Sequence, residues 1–126
     1  MSAVYVFDLD DTLWDGKKLY PDVRNILHYL RANGHLVFIA TFNSKGPNIL
    51  RSLGIDHLFH GGVYGPQMSK CDMLQAIKKF SKKYQIKEKW INFYDDLPAN
   101  VLEVRLRDPS VNVVHIKNGL TWSHIK

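Results

Sequence analysis

The chain has 126 residues, 45% of them hydrophobic, and a formal net charge of +5. This length is enough for one buried core and too short for two, and no apolar stretch approaches the roughly 20 residues that a membrane-spanning helix needs. The sequence shows no signal-peptide pattern, and its single cysteine, Cys71, cannot form an internal disulfide. We therefore expect one cytoplasmic domain over residues 1–126, a monomer or a weak dimer with no membrane partner.

Positive charge is the second feature of the composition. A basic surface attracts anions, so phosphorylated ligands and nucleic acid are both compatible partners. Most of the excess lies between Lys78 and Lys89, and such a lysine run is typical of the solvated face of a helix and the loop after it. The composition therefore supports nucleic-acid binding only weakly.

Predicted strands and helices alternate along the chain. Apolar runs predict strands at residues 4–7, 35–41, 90–94 and 111–116, with at most a short strand at 61–65. Apolar residues at helical spacing predict helices at 22–33, 44–53, 69–84 and 97–107, the third of them capped by Ser69. This alternation is typical of a three-layer α/β fold, with a mostly parallel sheet of about five strands between two layers of helices.

Polar side chains follow three of these strands at the point where each strand ends. They are Asp8 and Asp10 after the first strand, Thr41 and Asn43 after the second, and Asp95 and Asp96 after the strand at 90–94; Lys70 opens the long helix. Because ligands bind at the carboxyl ends of parallel strands, we expect these side chains to form one site. Carboxylates gathered at one edge repel each other unless a cation lies between them, and an open site with oxygen ligands favours Mg²⁺ and phosphoryl transfer.

Each feature taken alone also has a structural explanation. Asp10 and the Asp11-Thr12 pair are typical of a turn with a helix cap, and Asp96 precedes a predicted helix that it could cap. A single lysine such as Lys70 is more often a surface residue than a catalytic one. Trp14, directly after the first motif, is expected either to contact a substrate or to pack against the first helix.

Taken together, these segments resemble a known family. The block Phe7-Asp8-Leu9-Asp10-Asp11-Thr12-Leu13, then Thr41, Lys70 and Asp95-Asp96, resemble in content and order the four motifs of the haloacid dehalogenase-like phosphohydrolase superfamily. The Leu13-Trp14 pair, the block at 93–96 and the closing segment at 115–120 are most similar to its small capless magnesium-dependent phosphatases. The resemblance covers almost the whole chain and implies a Rossmann-like fold with strand order 3-2-1-4-5 and no cap domain.

The resemblance also implies an activity, a Mg²⁺-dependent phosphomonoesterase that works through an aspartyl-phosphate. Asp8 would attack phosphorus, and Asp10 would serve first as general acid and then as general base. Thr41 would hold phosphoryl oxygens, and Lys70 would offset negative charge. The residues expected to contact the substrate are Leu9, Trp14, Asn43 and Lys70.

The implied Mg²⁺ ligands are Asp8, the backbone carbonyl of Asp10 and the Asp95-Asp96 pair, with Asp96 favoured as the direct ligand. Where many relatives carry glycine, Asp11 stands after the second aspartate, and we expect its side chain to alter that loop. An open site admits phosphoproteins, nucleic-acid ends and sugar phosphates. A phosphotransferase with the same intermediate and a catalytically idle binding module remain the alternatives.

Overall fold

A computed structural model describes residues 2–125, in which strands and α-helices alternate as predicted. The strands are β1 (Val4–Phe7), β2 (Leu36–Thr41), β3 (Gly61–Tyr64), β4 (Ile91–Asp95) and β5 (Asn112–His115). The α-helices are α1 (Val23–Ala32), α2 (Gly46–Ser52), α3 (Lys70–Lys82) and α4 (Pro98–Arg107). All strand pairs are parallel and the spatial order is β3-β2-β1-β4-β5, which confirms the predicted fold and strand order.

Strand β1 lies at the centre of the sheet and contributes to both hydrophobic cores. Its residues alternate, so Tyr5 and Phe7 pack against α1 and α2 on one face, and Val4 and Val6 pack against α3 and α4 on the other. All four side chains are buried. Burial of apolar side chains of this size contributes about 1.5–3 kcal/mol each, so β1 is firmly held on both faces.

Local hydrogen bonds explain where two helices begin. Ser69 caps α3 as predicted, since its Oγ accepts a hydrogen bond from the Asp72 N–H at 3.1 Å. Helix α2 begins at Gly46, two residues later than expected, because the Asn43 Oδ1 accepts from the Lys45 N–H at 2.9 Å and forms a turn before the helix.

The prediction of a fully solvated lysine run was wrong at its first member. Lys78 is buried, and its Nζ lies 2.7 Å from Asp108 Oδ2 and 3.3 Å from Glu88 Oε1. These ion pairs connect α3 to the segment after α4 and to the turn before β4. Lys78 is therefore part of the interior rather than of the basic surface.

Strand register determines where the polar residues meet. Phe7 pairs with Ile39 of β2 and with Tyr94 of β4, so Asp8 follows beside Ala40, one residue before Thr41, and beside Asp95. Within residues 2–125, the connections from β1 to α1 and from β3 to α3 hold no inserted domain. Among residues 2–125, no helix has the length and hydropathy required to cross a membrane.

Candidate active site

Asp8 and Lys70 form the buried centre of the site. The Lys70 Nζ donates to Asp8 Oδ1 at 2.8 Å, and the Thr12 Oγ1 donates to Asp8 Oδ2 at 3.2 Å. The Lys70 Nζ also donates to the Ala40 carbonyl at 2.7 Å. Lys70 is only 1% exposed, so the first residue of α3 points its whole side chain inward beneath the sheet edge.

Asp95 holds Lys70 from the other side and organises the start of α4. Its Oδ2 lies 2.9 Å from Lys70 Nζ and accepts from Asn100 Nδ2 at 3.2 Å, while its Oδ1 accepts from the Leu97 N–H at 2.9 Å. Asp95 rather than Asp96 therefore makes the hydrogen bonds at the beginning of this helix, contrary to the capping role considered for Asp96 in the sequence. With both Asp95 oxygens engaged, Asp96 is the freer carboxylate.

The Asp10 carboxylate is oriented by two donors. Trp14 Nε1 donates to Asp10 Oδ1 at 2.9 Å, and Asn43 Nδ2 donates to Asp10 Oδ2 at 3.2 Å. Asp10 is half-buried, so it is both fixed in direction and accessible. Trp14 packs against the core at the same time, which is the packing role expected for it, while its contact with a substrate stays a prediction.

The loop after β1 turns in a left-handed conformation at Asp11, whose φ is 60°. This region is easiest for glycine, and aspartate is among the side chains that tolerate it. The aspartate at this position therefore adopts a backbone conformation that a glycine would also take, and the loop keeps a tight turn despite the side chain. The Asp11 carboxylate is exposed at the mouth of the site.

The remaining predicted site residues differ in the groups that they present to a ligand. Thr41 is buried, and its Oγ1 accepts from the Asn43 N–H at 3.1 Å. The Leu9 side chain is fully buried in the core, so Leu9 is available to a ligand only through its backbone. Among the described residues, Trp14 is not one of those that line the pocket at Asp8; it lies behind Asp10 instead.

Burial makes the carboxylate cluster reluctant to ionise. Burial raises the pKa of Asp8 from 3.8 to about 8; Lys70 opposes this rise, whereas the Asp95 charge and a hydrogen bond to Asp96 add to it. Burial likewise raises the pKa of Asp96, although the hydrogen bond from Asp8 opposes that rise. Near neutral pH a proton is therefore retained between Asp8 and Asp96.

The residues present fit a divalent cation. Asp8, Asp95 and Asp96 each offer an oxygen, and these atoms lie within 4.8 Å of one another. Hard oxygen donors at this spacing suit Mg²⁺. Burial, more than the Asp95 charge, opposes ionisation of Asp8 although Lys70 lies beside it, and a bound cation would favour the ionised carboxylate.

A small pocket opens directly above Asp8. Its volume is about 140 Å³, and its lining includes Asp10, Thr41 and Asp96 together with two exposed apolar side chains, Phe42 and Leu97. Four further site residues were not predicted from the sequence: Phe42, Leu97, Thr12 and Asn100. Their positions next to the motifs were the available signal, but apolar and short polar residues are common there for structural reasons.

Comparison with known proteins identifies the family of the chain and its fold. A family model described as haloacid dehalogenase-like hydrolase matches residues 5–92. The core domain of a candidate phosphoglycolate phosphatase from Streptococcus pneumoniae TIGR4 has a TM-score of 0.74 and 18% identity, and the match covers 99% of this chain and 93% of that one. We found no match among curated proteins.

Two further structures share the fold. A haloacid dehalogenase-like family protein from Streptococcus pneumoniae has a TM-score of 0.70 at 16% identity and covers 95% of this chain and 85% of its own. The N-terminal part of a Bacteroides fragilis protein, which contains a phosphatase domain and was solved with Mg, has a TM-score of 0.65 at 16% identity; the match covers 93% of this chain and 36% of that one. Since the family model matches more than half of the residues, the chain belongs to the haloacid dehalogenase-like hydrolases.

Proposed function

We propose that the protein is a Mg²⁺-dependent phosphomonoesterase with Asp8 as the nucleophile. The observation that carries this proposal is the Asp8 carboxylate at the base of an open pocket, held by Lys70 at 2.8 Å and facing the fixed carboxylate of Asp10. A nucleophile, a separate acid-base group and a buried counter-charge are the parts that a two-step phosphoryl transfer needs.

In the first step, an Asp8 oxygen attacks phosphorus and the ester P–O bond breaks, leaving an aspartyl-phosphate. Asp10 donates a proton to the departing oxygen. In the second step, Asp10 takes a proton from a water molecule, which attacks the same phosphorus and releases inorganic phosphate and the Asp8 carboxylate. General acid-base help of this kind contributes about 10²- to 10⁴-fold in rate.

Two side chains are placed to stabilise negative charge in the site. Thr41 lines the pocket, and its hydroxyl is proposed to donate to a phosphoryl oxygen. Lys70 offsets the charge of Asp8 and Asp95. Mg²⁺ would be held by Asp8, Asp96 and the backbone carbonyl of Asp10, and when bound it would supply positive charge against the negative charge of the transferring group.

The proposal is tested by phosphate release from para-nitrophenyl phosphate and from an alkyl phosphate. The assay compares the unaltered protein in Mg²⁺ with the protein in EDTA and with an Asp8→Asn variant. We expect turnover that requires Mg²⁺ and is lost in Asp8→Asn. An Asp56→Asn variant makes the same chemical change at an exposed position at the opposite end of the strands and should retain activity.

An Asp10→Asn variant separates the acid-base role of Asp10 from the nucleophilic role of Asp8. Because an alkoxide is a poorer leaving group than para-nitrophenolate, we expect this variant to lose more activity on the alkyl ester than on the aryl ester. Turnover that survives in Asp8→Asn would contradict the mechanism. Transfer of phosphate to added glycerol in preference to water would favour the phosphotransferase alternative.

A further inference from the structure

We propose that a groove next to the phosphoryl pocket binds the leaving group, and that Lys117 selects substrates whose leaving group carries a second anionic group. This inference rests on the proposed phosphatase function and goes beyond it by naming a substrate class. The second anion is a carboxylate or a second phosphate, since both offer oxygens to a lysine ammonium.

The groove continues from the site itself. It has a volume of about 490 Å³, and its lining includes Tyr20, His115, Lys117 and Asn118. Asp11 and Asp96 line both this groove and the 140 Å³ pocket at Asp8. A phosphoryl group in the small pocket would leave the rest of a substrate outside it, and the adjoining groove falls in the usual size range of ligand pockets, about 300–1,000 Å³.

The segment that forms the outer wall is fixed to the catalytic loops at both ends. The Ile116 N–H donates to the Asp95 carbonyl at 2.9 Å, and His115 Nε2 donates to the Asp96 carbonyl at 2.9 Å. Beyond the turn, the Leu120 N–H donates to the Thr12 carbonyl at 2.8 Å. The backbone of Lys117 is therefore held in place relative to the catalytic loops, which limits the region that its side chain can reach.

The turn between these anchors is closely packed. Asn118 and Gly119 have φ values of 60° and 85°, and a Cβ at position 119 would overlap the Tyr20 ring. Tyr20 thus lies directly on the turn and forms the facing wall of the groove.

Charge is distributed unevenly along the groove. Asp11 and Asp96 lie at its inner end, next to the phosphoryl pocket, whereas Lys117 supplies the positive charge farther out. Within residues 2–125, Lys117 has no carboxylate within 4.0 Å, so its ammonium is available to a ligand. A fitting leaving group is uncharged near the ester bond and anionic at its far end.

The test compares paired substrates that differ only in the second anion. 3-Phosphoglycerate is paired with glycerol 3-phosphate, and fructose 1,6-bisphosphate with fructose 6-phosphate. For each pair we measure the ratio of the two kcat/KM values in the unaltered protein, in Lys117→Met and in Lys117→Arg. We expect at least one ratio to favour the dianionic member and to fall about tenfold in Lys117→Met, with Lys117→Arg restoring most of it.

Lys87→Met is the matched control, since Lys87 is an exposed lysine shortly before β4, at the amino ends of the strands, and its loss changes net charge equally. We expect its ratios to equal those of the unaltered protein. Equal ratios in Lys117→Met and the unaltered protein, or an equal fall in Lys87→Met, would overturn the inference while leaving Asp8-dependent hydrolysis of para-nitrophenyl phosphate intact. Absence of that hydrolysis would overturn the proposed function and this inference with it.

Discussion

Binding of Mg²⁺ should release a proton, and the structure sets both the amount and its pH dependence. In the metal-free protein, burial raises the pKa of Asp8 to about 8, and the retained proton is shared with Asp96. A carboxylate must be ionised to bind the cation, so the proton must leave when Mg²⁺ arrives.

The number of protons released per bound Mg²⁺ follows from the pKa of Asp8. At pH 7, one unit below it, about nine-tenths of the Asp8 groups carry the proton, so close to one proton per bound Mg²⁺ should be released. Above pH 8 the release should decline toward zero. The apparent affinity for Mg²⁺ should rise about tenfold per pH unit up to pH 8 and then level off.

Isothermal titration calorimetry measures this release directly. Mg²⁺ is titrated at pH 7 in two buffers with different ionisation enthalpies, and the difference in observed heat gives the number of protons. Asp10→Asn is the matched control, because Asp10 is proposed to bind the cation through its backbone carbonyl and should release the same proton. Asp8→Asn should release none. Affinity that is constant between pH 6 and pH 8, without proton release, would refute the electrostatic account of the cluster.

The same proton affects the stability of the metal-free protein. The folded Asp8 keeps its proton up to about pH 8, whereas the unfolded chain releases it near 3.8. The stabilisation from this group is therefore complete below pH 3.8 and is lost as the pH rises through 8. The melting temperature of the unaltered protein relative to Asp8→Asn should accordingly fall between pH 6 and pH 9 in EDTA.

Three further substitutions test separate parts of the structure. Asp96→Asn removes one of the repelling carboxylates, so in EDTA at pH 9 the melting temperature should rise or stay the same; a clear fall would contradict this reasoning. Lys78→Met leaves the buried Asp108 unpaired, and urea titration should show a loss of about 3 kcal/mol with unchanged phosphatase kcat. Gly119→Ala places a Cβ into the Tyr20 ring and should cost about 1–3 kcal/mol by the same measurement; full stability would show that the ring is not held there.

Much of the fold was predictable because each element carries its own local signal. β1 is a continuous apolar run, and Val23, Ile26, Leu27 and Leu30 of α1 recur at helical spacing and are all buried. The parallel sheet followed from the alternation of strands and helices. Element ends shifted by a few residues where side-chain hydrogen bonds compete with the backbone pattern, as at Asn43 before α2.

The proximity of the motif residues to one another was also predictable, since the carboxyl ends of parallel strands meet at one edge of the sheet. Their individual contacts were not, because they depend on rotamers and on segments far apart in sequence. Lys78 is buried only because Asp108, thirty residues later, meets it in the interior. Beside the groove at Lys117, the Leu120 N–H bonds back to the Thr12 carbonyl, and no periodicity in the sequence indicates such a crossing.

The contacts of Lys70 suggest how the work of the site is divided. An ammonium has three N–H donors, and here hydrogen bonds run to Asp8 at 2.8 Å and to the Ala40 carbonyl at 2.7 Å, while the Asp95 carboxylate lies 2.9 Å away as an ion-pair partner. Because two carboxylates and a carbonyl surround the ammonium, we expect Lys70 to act mainly on the charge of the nucleophile and its neighbour. Phosphoryl oxygens are then expected to find further donors at the Thr41 hydroxyl and at backbone N–H groups. These contacts favour a role for Lys70 in orienting Asp8 and limiting its charge, and the substrate contact expected from the sequence stays a prediction.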